Sequence, residues 1–224
     1  ICIIPARKNS VRLKGKNLIE VSGMSLIEIT IRCAVRSGIF DEIVVNSDDP
    51  NAKRIAIELG ITFVDRPEEL CGPEVTTWDV IEQTLSQISC DCFTLLQCTS
   101  PLRTPEHVVQ AFEYFQKSES RKIVSICKSQ IHPLKSLIKI EDRMLPTNTW
   151  EDLSTPDQML PEAYILNGAI YIFDRYNFKP NKSTLCDAEF FLMDSDSSLD
   201  INTSEDLEYL KLLRTHEGFW WENS

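Results

Sequence analysis

The sequence predicts an α/β protein built on a mainly parallel sheet with helices on both faces. Three observations carry that reading. Short apolar, β-rich runs alternate with helical segments of roughly ten to fifteen residues, the rhythm of βαβ units. Several helix starts pair a capping side chain with a proline or a suitable first turn. The 224 residues suffice for one sizeable domain and hardly for two.

Ile1–Pro5 is a continuous apolar run and reads as a buried strand. Ser25–Ser37 reads as a helix: Ser25 and Glu28 form a capping-box pattern, Leu26, Ile29 and Ala34 supply the apolar stripe, and Gly38 closes it. Glu42–Asn46 is the second strand, and Asp49-Pro50 starts a helix that Gly60 ends. Thr62–Val64 is a short strand, and Thr76 and Thr77 cap a helix to about Ile88. Cys92–Gln97 is the next strand, Thr104-Pro105 opens a helix to about Lys117, and Lys122–Lys128 is again a strand. From Ser129 to Pro161 the rhythm breaks. Pro133, Pro146, Pro156 and Pro161 interrupt this stretch, whose one short apolar run is Leu137–Ile140, so it reads as an excursion with a hairpin and an irregular arm. The pattern returns with Gly168–Phe173, Phe190–Met193 and a last helix capped by Thr203.

Composition narrows the function. A formal charge of −11 argues against a nucleic-acid-binding surface. Apolar runs such as Ile1–Pro5 and Ala169–Phe173 are far too short to span a bilayer. None of the eight cysteines forms a C-x-x-C pair, and His107, His132 and His216 sit at no zinc-ligand spacing from them. They read as reduced thiols, several of them buried, which fits a cytoplasmic location. No signal peptide is visible, but the chain does not begin with Met, so an upstream address stays open. Charge is unevenly placed: Ile1–Ile19 holds Arg7, Lys8, Arg12, Lys14 and Lys16 and no acidic residue. In an acidic chain, that stretch is a local anion site.

Open parallel sheets bind ligands beyond the carboxyl ends of their strands. The first strand is followed by Arg7, Ser10, Arg12, Lys16 and Asn17, and the second by Ser47, Asp48 and Asp49. Arg66 follows the third, and Gln97, Thr99, Ser100 and Arg103 follow the fourth. The first loop is neither G-x-G-x-x-G nor a Walker A motif, and Gly15 is its only glycine. Backbone amides cannot cradle phosphates there, so arginine and lysine must. Such a loop suits a triphosphate whose pyrophosphate is to leave.

Five ordered stretches then match a known family: Pro5-Ala6-Arg7-Lys8-Asn9-Ser10-Val11-Arg12-Leu13-Lys14-Gly15-Lys16-Asn17, Leu95–Arg103, His132–Lys135, Asn167–Tyr171 and Asp200–Thr203. Together they resemble the acylneuraminate cytidylyltransferases, including the pseudaminic and legionaminic acid enzymes, over nearly the whole chain. The resemblance implies a Rossmann-like fold, a homodimer, and magnesium-dependent transfer of CMP from CTP to the anomeric hydroxyl of a nonulosonic acid sugar. It implies that Arg7, Lys16 and Asp200 are catalytic, and that Arg7, Ser10, Lys16, Asn17, Arg66, Thr76, Thr77 and Gln97 bind nucleotide. Gln97, Ser100, Arg103, Lys135, Asn167 and Tyr171 would face the sugar, and Asp200 and Asn202 the magnesium. Residues 129–161 resemble the family's dimerisation segment. No residue stands out as the base for the attacking hydroxyl.

Three departures matter. Asn202 stands where the family usually has a second Asp, and Cys98 replaces a usual proline, which reads as a packing change. Tyr164-Ile165-Leu166 and Ser183-Thr184 stand where N-acetylneuraminate enzymes often carry an arginine and an aromatic pair, which leaves the sugar open to pseudaminic, legionaminic or another nonulosonic acid. The alternatives are a CMP-KDO synthetase and a silent homologue that binds nucleotide without turnover, the latter motivated by Asn202. Trp220 and Trp221 read as packed, Asp194, Asp196 and Glu205 as loop and cap charges, and His132 either shapes the arm or meets substrate.

Overall fold

The computed structural model describes residues 1–222 except Val11 and Lys182, with the backbone alone at 214–217, so the His216 side chain lies outside the described part. In chain order the strands are β1 (Cys2–Pro5), β2 (Glu20–Val21), β3 (Met24–Ser25), β4 (Ile43–Ser47), β5 (Thr62–Asp65), β6 (Cys92–Leu95), β7 (Lys122–Lys128), β8 (Leu137–Ile140), β9 (Arg143–Pro146), β10 (Tyr164–Asp174) and β11 (Glu189–Leu192). The helices are α1 (Leu26–Ser37), α2 (Pro50–Glu58), α3 (Thr77–Leu85), α4 (Pro105–Lys117), α5 (Trp150–Ser154) and α6 (Ser204–Glu217).

Seven strands form one sheet in the order β11-β7-β10-β6-β1-β4-β5. Strand β1 pairs in parallel with β4 and β6, β4 with β5, and β11 with β7. The chain runs outward from β1 through β4 to β5, then returns to β6 on the other side of β1. This reversal of strand order opens a crevice at the carboxyl end of β1. The fold is Rossmann-like.

Pleating divides the core. Cys2 and Ile4 of β1 point to one face, where they join Leu26 of α1, Ala52 of α2, Val108 of α4 and Leu210 of α6. Ile3 points to the other, with Phe93 and with Ile81 and Leu85 of α3. Helices therefore cover both faces. Their starts follow the cap signals: Asp49 accepts from the Asn51 amide ahead of Pro50, and Thr76, Thr104 and Thr203 each close a capping box. Ser25 makes only half of its box, because the Glu28 carboxylate pairs with Arg32 at 2.9 Å instead. The aromatic tail packs as expected: Trp221 is buried and stacks on Phe219, and the Trp220 indole donates to the Pro101 carbonyl.

Three features depart from the sequence reading. Helix α3 stops at Leu85, short of Ile88. Strands β2 and β3 form a small hairpin whose turn places Ser22 and Gly23 at positive φ. Strand β10 starts at Tyr164, earlier than Gly168, and runs antiparallel to both β6 and β7. Its direction follows from what precedes it. A parallel neighbour needs a crossover, whereas residues 129–163 return the chain directly beside β7. That arm contains the β8–β9 hairpin and α5, and its ends are tied by the Ser129 amide to Ala163 and by His132 Nε2 against the Pro161 carbonyl at 2.8 Å. His132 thus shapes the arm. No residue from 128 to 166 is buried.

Phe93 lies on β6 immediately before the crevice, fully buried against Phe173 and Phe178. Phe93→Ala should cost about 3–5 kcal/mol, read as a lower urea midpoint with an unchanged slope. An unaltered midpoint would mean that this aromatic cluster does not support the sheet.

Candidate functional site

The crevice is a cleft of about 350 Å³, within the range of small-molecule sites. Arg7, Ser10, Arg12, Lys16 and Asn17 come to it from the loop after β1. Arg66, Leu70, Pro73, Val75, Thr76, Thr77 and Val80 come from the segment between β5 and the first turn of α3. Gln97 and Thr99 follow β6, and Asp200 and Asn202 precede α6. Every residue expected on the nucleotide and metal side lies in this lining.

The cationic loop is braced by side chains and backbone groups around it. Asn17 Nδ2 donates to the Arg7 carbonyl at 2.9 Å, and the Lys8 amide donates to Asp48 at 2.7 Å. Ser47 Oγ donates to the Ala6 carbonyl, which holds the start of the loop against β4. Gly15, at φ 65°, turns the chain into the short 3-10 segment that presents Lys16. Arg7 Nη1 reaches across the cleft and donates to the Gly72 carbonyl at 2.8 Å.

Arg66 is buried and fixed. Its Nε donates to Asn46 Oδ1 at 2.9 Å and its Nη2 to the Asn46 carbonyl at 3.1 Å. Burial lowers the guanidinium pKa from its ordinary value, and the Asp48 charge opposes that shift. Lys16 is similar: burial lowers the pKa of its ammonium while Asp200 opposes the change. Lys16 Nζ donates to Asn202 Oδ1 at 3.3 Å, and Asn202 Nδ2 donates to Asp200 Oδ2 at 2.5 Å. The amide orientation follows from its neighbours, since ammonium only donates and carboxylate only accepts.

Asp200 Oδ1 is buried without a hydrogen-bond partner. The Ile201 amide pins this segment to the Thr99 carbonyl at 2.7 Å, and Asp206 accepts from the Asn202 and Thr203 amides. The orphaned Asp200 oxygen suits a hard cation that takes its other ligands from phosphate and water, and Asn202 Oδ1, engaged by Lys16, would have to turn to join it. Among the described residues, no three His, Cys, Asp or Glu side chains converge as a metal group. A magnesium ion here would therefore need oxygens from its substrate.

The residues expected on the sugar side divide. Gln97 lines the cleft, and Gly168, at φ 73°, sits against it: a Cβ there would meet Gln97 Oε1 at 3.1 Å. Tyr171 is buried edge-on to Trp78, and burial, helped by the Asp200 charge, raises its phenol pKa. Lys135 lies in the arm, paired with Asp157 at 2.9 Å and outside the cleft lining.

Ser100, Arg103 and Asn167, expected to face the sugar, are buried and stand outside the cleft lining. Ser100 is fully buried. Arg103 Nη1 donates to the Gln97 and Ala169 carbonyls, so it is a strut between the β6 loop and β10. Asn167 is saturated by Ser125, Ser198, Met193 and the Ala169 amide. The cause is the irregular pairing of β10 between Leu166 and Tyr171, which turns Asn167 inward.

Arg12, placed by the sequence among the residues facing the crevice but given no role there, lines the cleft, and Leu70, Val75 and Val80 were missed. Apolar residues in the segment before α3 and in its first turns gave no signal of a cleft wall. Cys98 is buried, and burial raises its thiol to about 11, consistent with a packing role.

A sequence profile of the family described as cytidylyltransferase matches residues 1–215. The chain is 33% identical over 210 residues to an N-acylneuraminate cytidylyltransferase of Streptococcus agalactiae serotype V, covering 92% of this chain and 51% of that protein. The chain thus spans about half the length of that relative. It is 32% identical over 219 residues to a CMP-N,N'-diacetyllegionaminic acid synthase of Legionella pneumophila, covering 92% of each. Among solved structures, a CMP:2-keto-3-deoxy-manno-octonic acid synthetase complexed with CTP superposes with a TM-score of 0.72. That likeness covers 95% of this chain and 97% of the other at 16% identity, and shows the fold alone.

Gly168→Ala combines a left-handed backbone with a crowded Cβ. It should cost about 1–2 kcal/mol of stability, read as a lower urea midpoint, and displace Gln97. An unchanged midpoint would show that the site tolerates a side chain there.

Proposed function

The chain belongs to the cytidylyltransferase family, and on that premise we propose that it transfers CMP from CTP to the anomeric hydroxyl of a nonulosonic acid, releasing pyrophosphate. The observation that carries this reading is the meeting, in one cleft, of the cationic loop, the wall formed by residues 66–80, Gln97 and the Asp200–Asn202 pair. Arg7 and Lys16 take the triphosphate. Arg7 offers a planar fork to two phosphate oxygens and Lys16 a point charge. Both groups are held before substrate arrives, so little reorganisation opposes the charge that builds on the leaving pyrophosphate.

The sugar oxygen forms a bond to the α-phosphorus as the bond to pyrophosphate breaks, and the hydroxyl proton is released to water. Gln97 orients the two substrates where they meet. Asp200 and Asn202 would hold magnesium, which supplies neutralising charge at the α-phosphate. Positioning and electrostatics then account for the rate, with no covalent enzyme intermediate. The sugar is N-acetylneuraminic, legionaminic, pseudaminic or another nonulosonic acid.

The arm supports a homodimer reading. Ile138, Ile140, Met144, Trp150 and Met159 all project into solvent from a segment with no buried residue of its own. Apolar exposure on that scale calls for a partner. A second copy placed there would bring Lys135 toward the neighbouring cleft. A cytoplasmic location accords with eight free thiols. Among the described residues, no helix is long and apolar enough to cross a membrane.

Pyrophosphate release from CTP and magnesium, with N-acetylneuraminate, legionaminate, pseudaminate and KDO supplied separately, tests the reaction. One nonulosonic acid should trigger release, and Arg7→Ala should reduce it by about 100-fold, the scale of one lost charge-stabilising donor. Binding of CTP with silence for all four sugars would favour a silent homologue. For the arm, Ile138→Lys should convert a sedimenting dimer to monomer, and an unchanged sedimentation coefficient would remove the arm from the interface.

A further inference from the structure

Asn46 is a polar side chain near the end of β4, an interior strand next to the β5 edge, and is fully buried. Its amide is almost completely used. Oδ1 accepts from Arg66 Nε at 2.9 Å, while Nδ2 donates to Gln83 Oε1 at 2.5 Å and to Thr84 Oγ1 at 2.9 Å. Its backbone carbonyl accepts from Arg66 Nη2 and from the Ala6 amide. One residue therefore ties together the Arg66 guanidinium, the last turn of α3 and the start of the cationic loop. A buried hydrogen-bond network of this kind holds its parts in one orientation.

That orientation matters because of what remains of the fork. The Arg66 donors on Nε and Nη2 are engaged by Asn46, whereas Nη1 has no protein partner among the described residues and is not enclosed. Arg66 lines the cleft together with Leu70, Val75, Thr77 and Val80, all from the segment between β5 and the start of α3. An apolar wall with a fixed donor at its edge suits a flat heterocycle. Cytosine presents two adjacent acceptors, O2 and N3. Uracil presents O2 but has a proton on N3, so a donor fixed opposite N3 meets another donor. Discrimination by such a mismatch is large only if the protein donor cannot turn away.

We infer that Asn46 is a specificity-determining positioning residue: by clamping one edge of Arg66 it aims the free edge at the base and makes the cleft prefer cytosine over uracil. Arg66 makes the contact, and Asn46 acts through it. This inference rests on the cleft being the nucleotide site.

The test is calorimetric titration of CTP and UTP into the full chain and its variants, without the sugar. The wild type should prefer CTP. Asn46→Ser, whose hydroxyl is too short to reach Arg66, should narrow that preference about tenfold, as expected for one lost hydrogen bond to a charged group. Asn46→Asp keeps the acceptor for Arg66 Nε and should retain it. A purely structural role would weaken both nucleotides equally and leave the ratio alone. A folded Asn46→Ser with the wild-type ratio would overturn the inference. Should that variant not fold, Gln83→Leu removes one Asn46 partner from the helix side and must narrow the ratio in the same direction; an unchanged ratio would overturn it equally. A wild type that binds neither nucleotide would instead sink the nucleotide reading itself.

Discussion

The arrangement depends on one constraint: positive charge must be concentrated at the carboxyl end of β1 and held still without a glycine-rich backbone cradle. Arginine and lysine are long and rotamer-rich, so ordering them costs entropy unless the surroundings do so in advance. Here the surroundings are polar groups from four parts of the chain. Asn17 holds the Arg7 backbone, Asp48 holds the Lys8 amide, Gly72 holds the Arg7 guanidinium, and Asn202 holds Lys16. In a chain with a formal charge of −11, this cluster is a local reversal of sign that draws an anion to one place.

The far side of the cleft is braced differently. Strand β10 runs antiparallel between β6 and β7, and its irregular segment brings Gly168 against Gln97. Arg103 bridges the Gln97 and Ala169 carbonyls below, and the Ile201 amide ties the Asp200 segment to Thr99. The β6 loop and the Asp200 segment are thus joined to each other and to β10 by hydrogen bonds.

Local signals made much of the fold legible. Thr104-Pro105 and Asp49-Pro50 opened helices where expected, because caps and first-turn prolines act within a few residues. The cationic loop announced itself because like charges without acidic neighbours need a local reason. Long-range facts were harder to read. No local pattern says that β10 is antiparallel, since the same apolar run suits either direction. Arg103 looked like a ligand by its position after a strand and Asn167 by its place in a family motif, yet both turn inward to satisfy backbone and side-chain groups that appear only in three dimensions. Asn46 left the faintest trace, a polar residue at the end of the apolar run Ile43-Val44-Val45. Its partners Arg66, Gln83 and Thr84 are remote in sequence.

The central claim is that charged side chains, rather than backbone amides, hold a triphosphate in this cleft. Calorimetric comparison of CTP with cytidine over a range of salt tests it most directly. The claim requires CTP to bind far more tightly at low salt, with the gap closing as ionic strength rises. Equal affinity for CTP and cytidine, or a gap indifferent to salt, would contradict it.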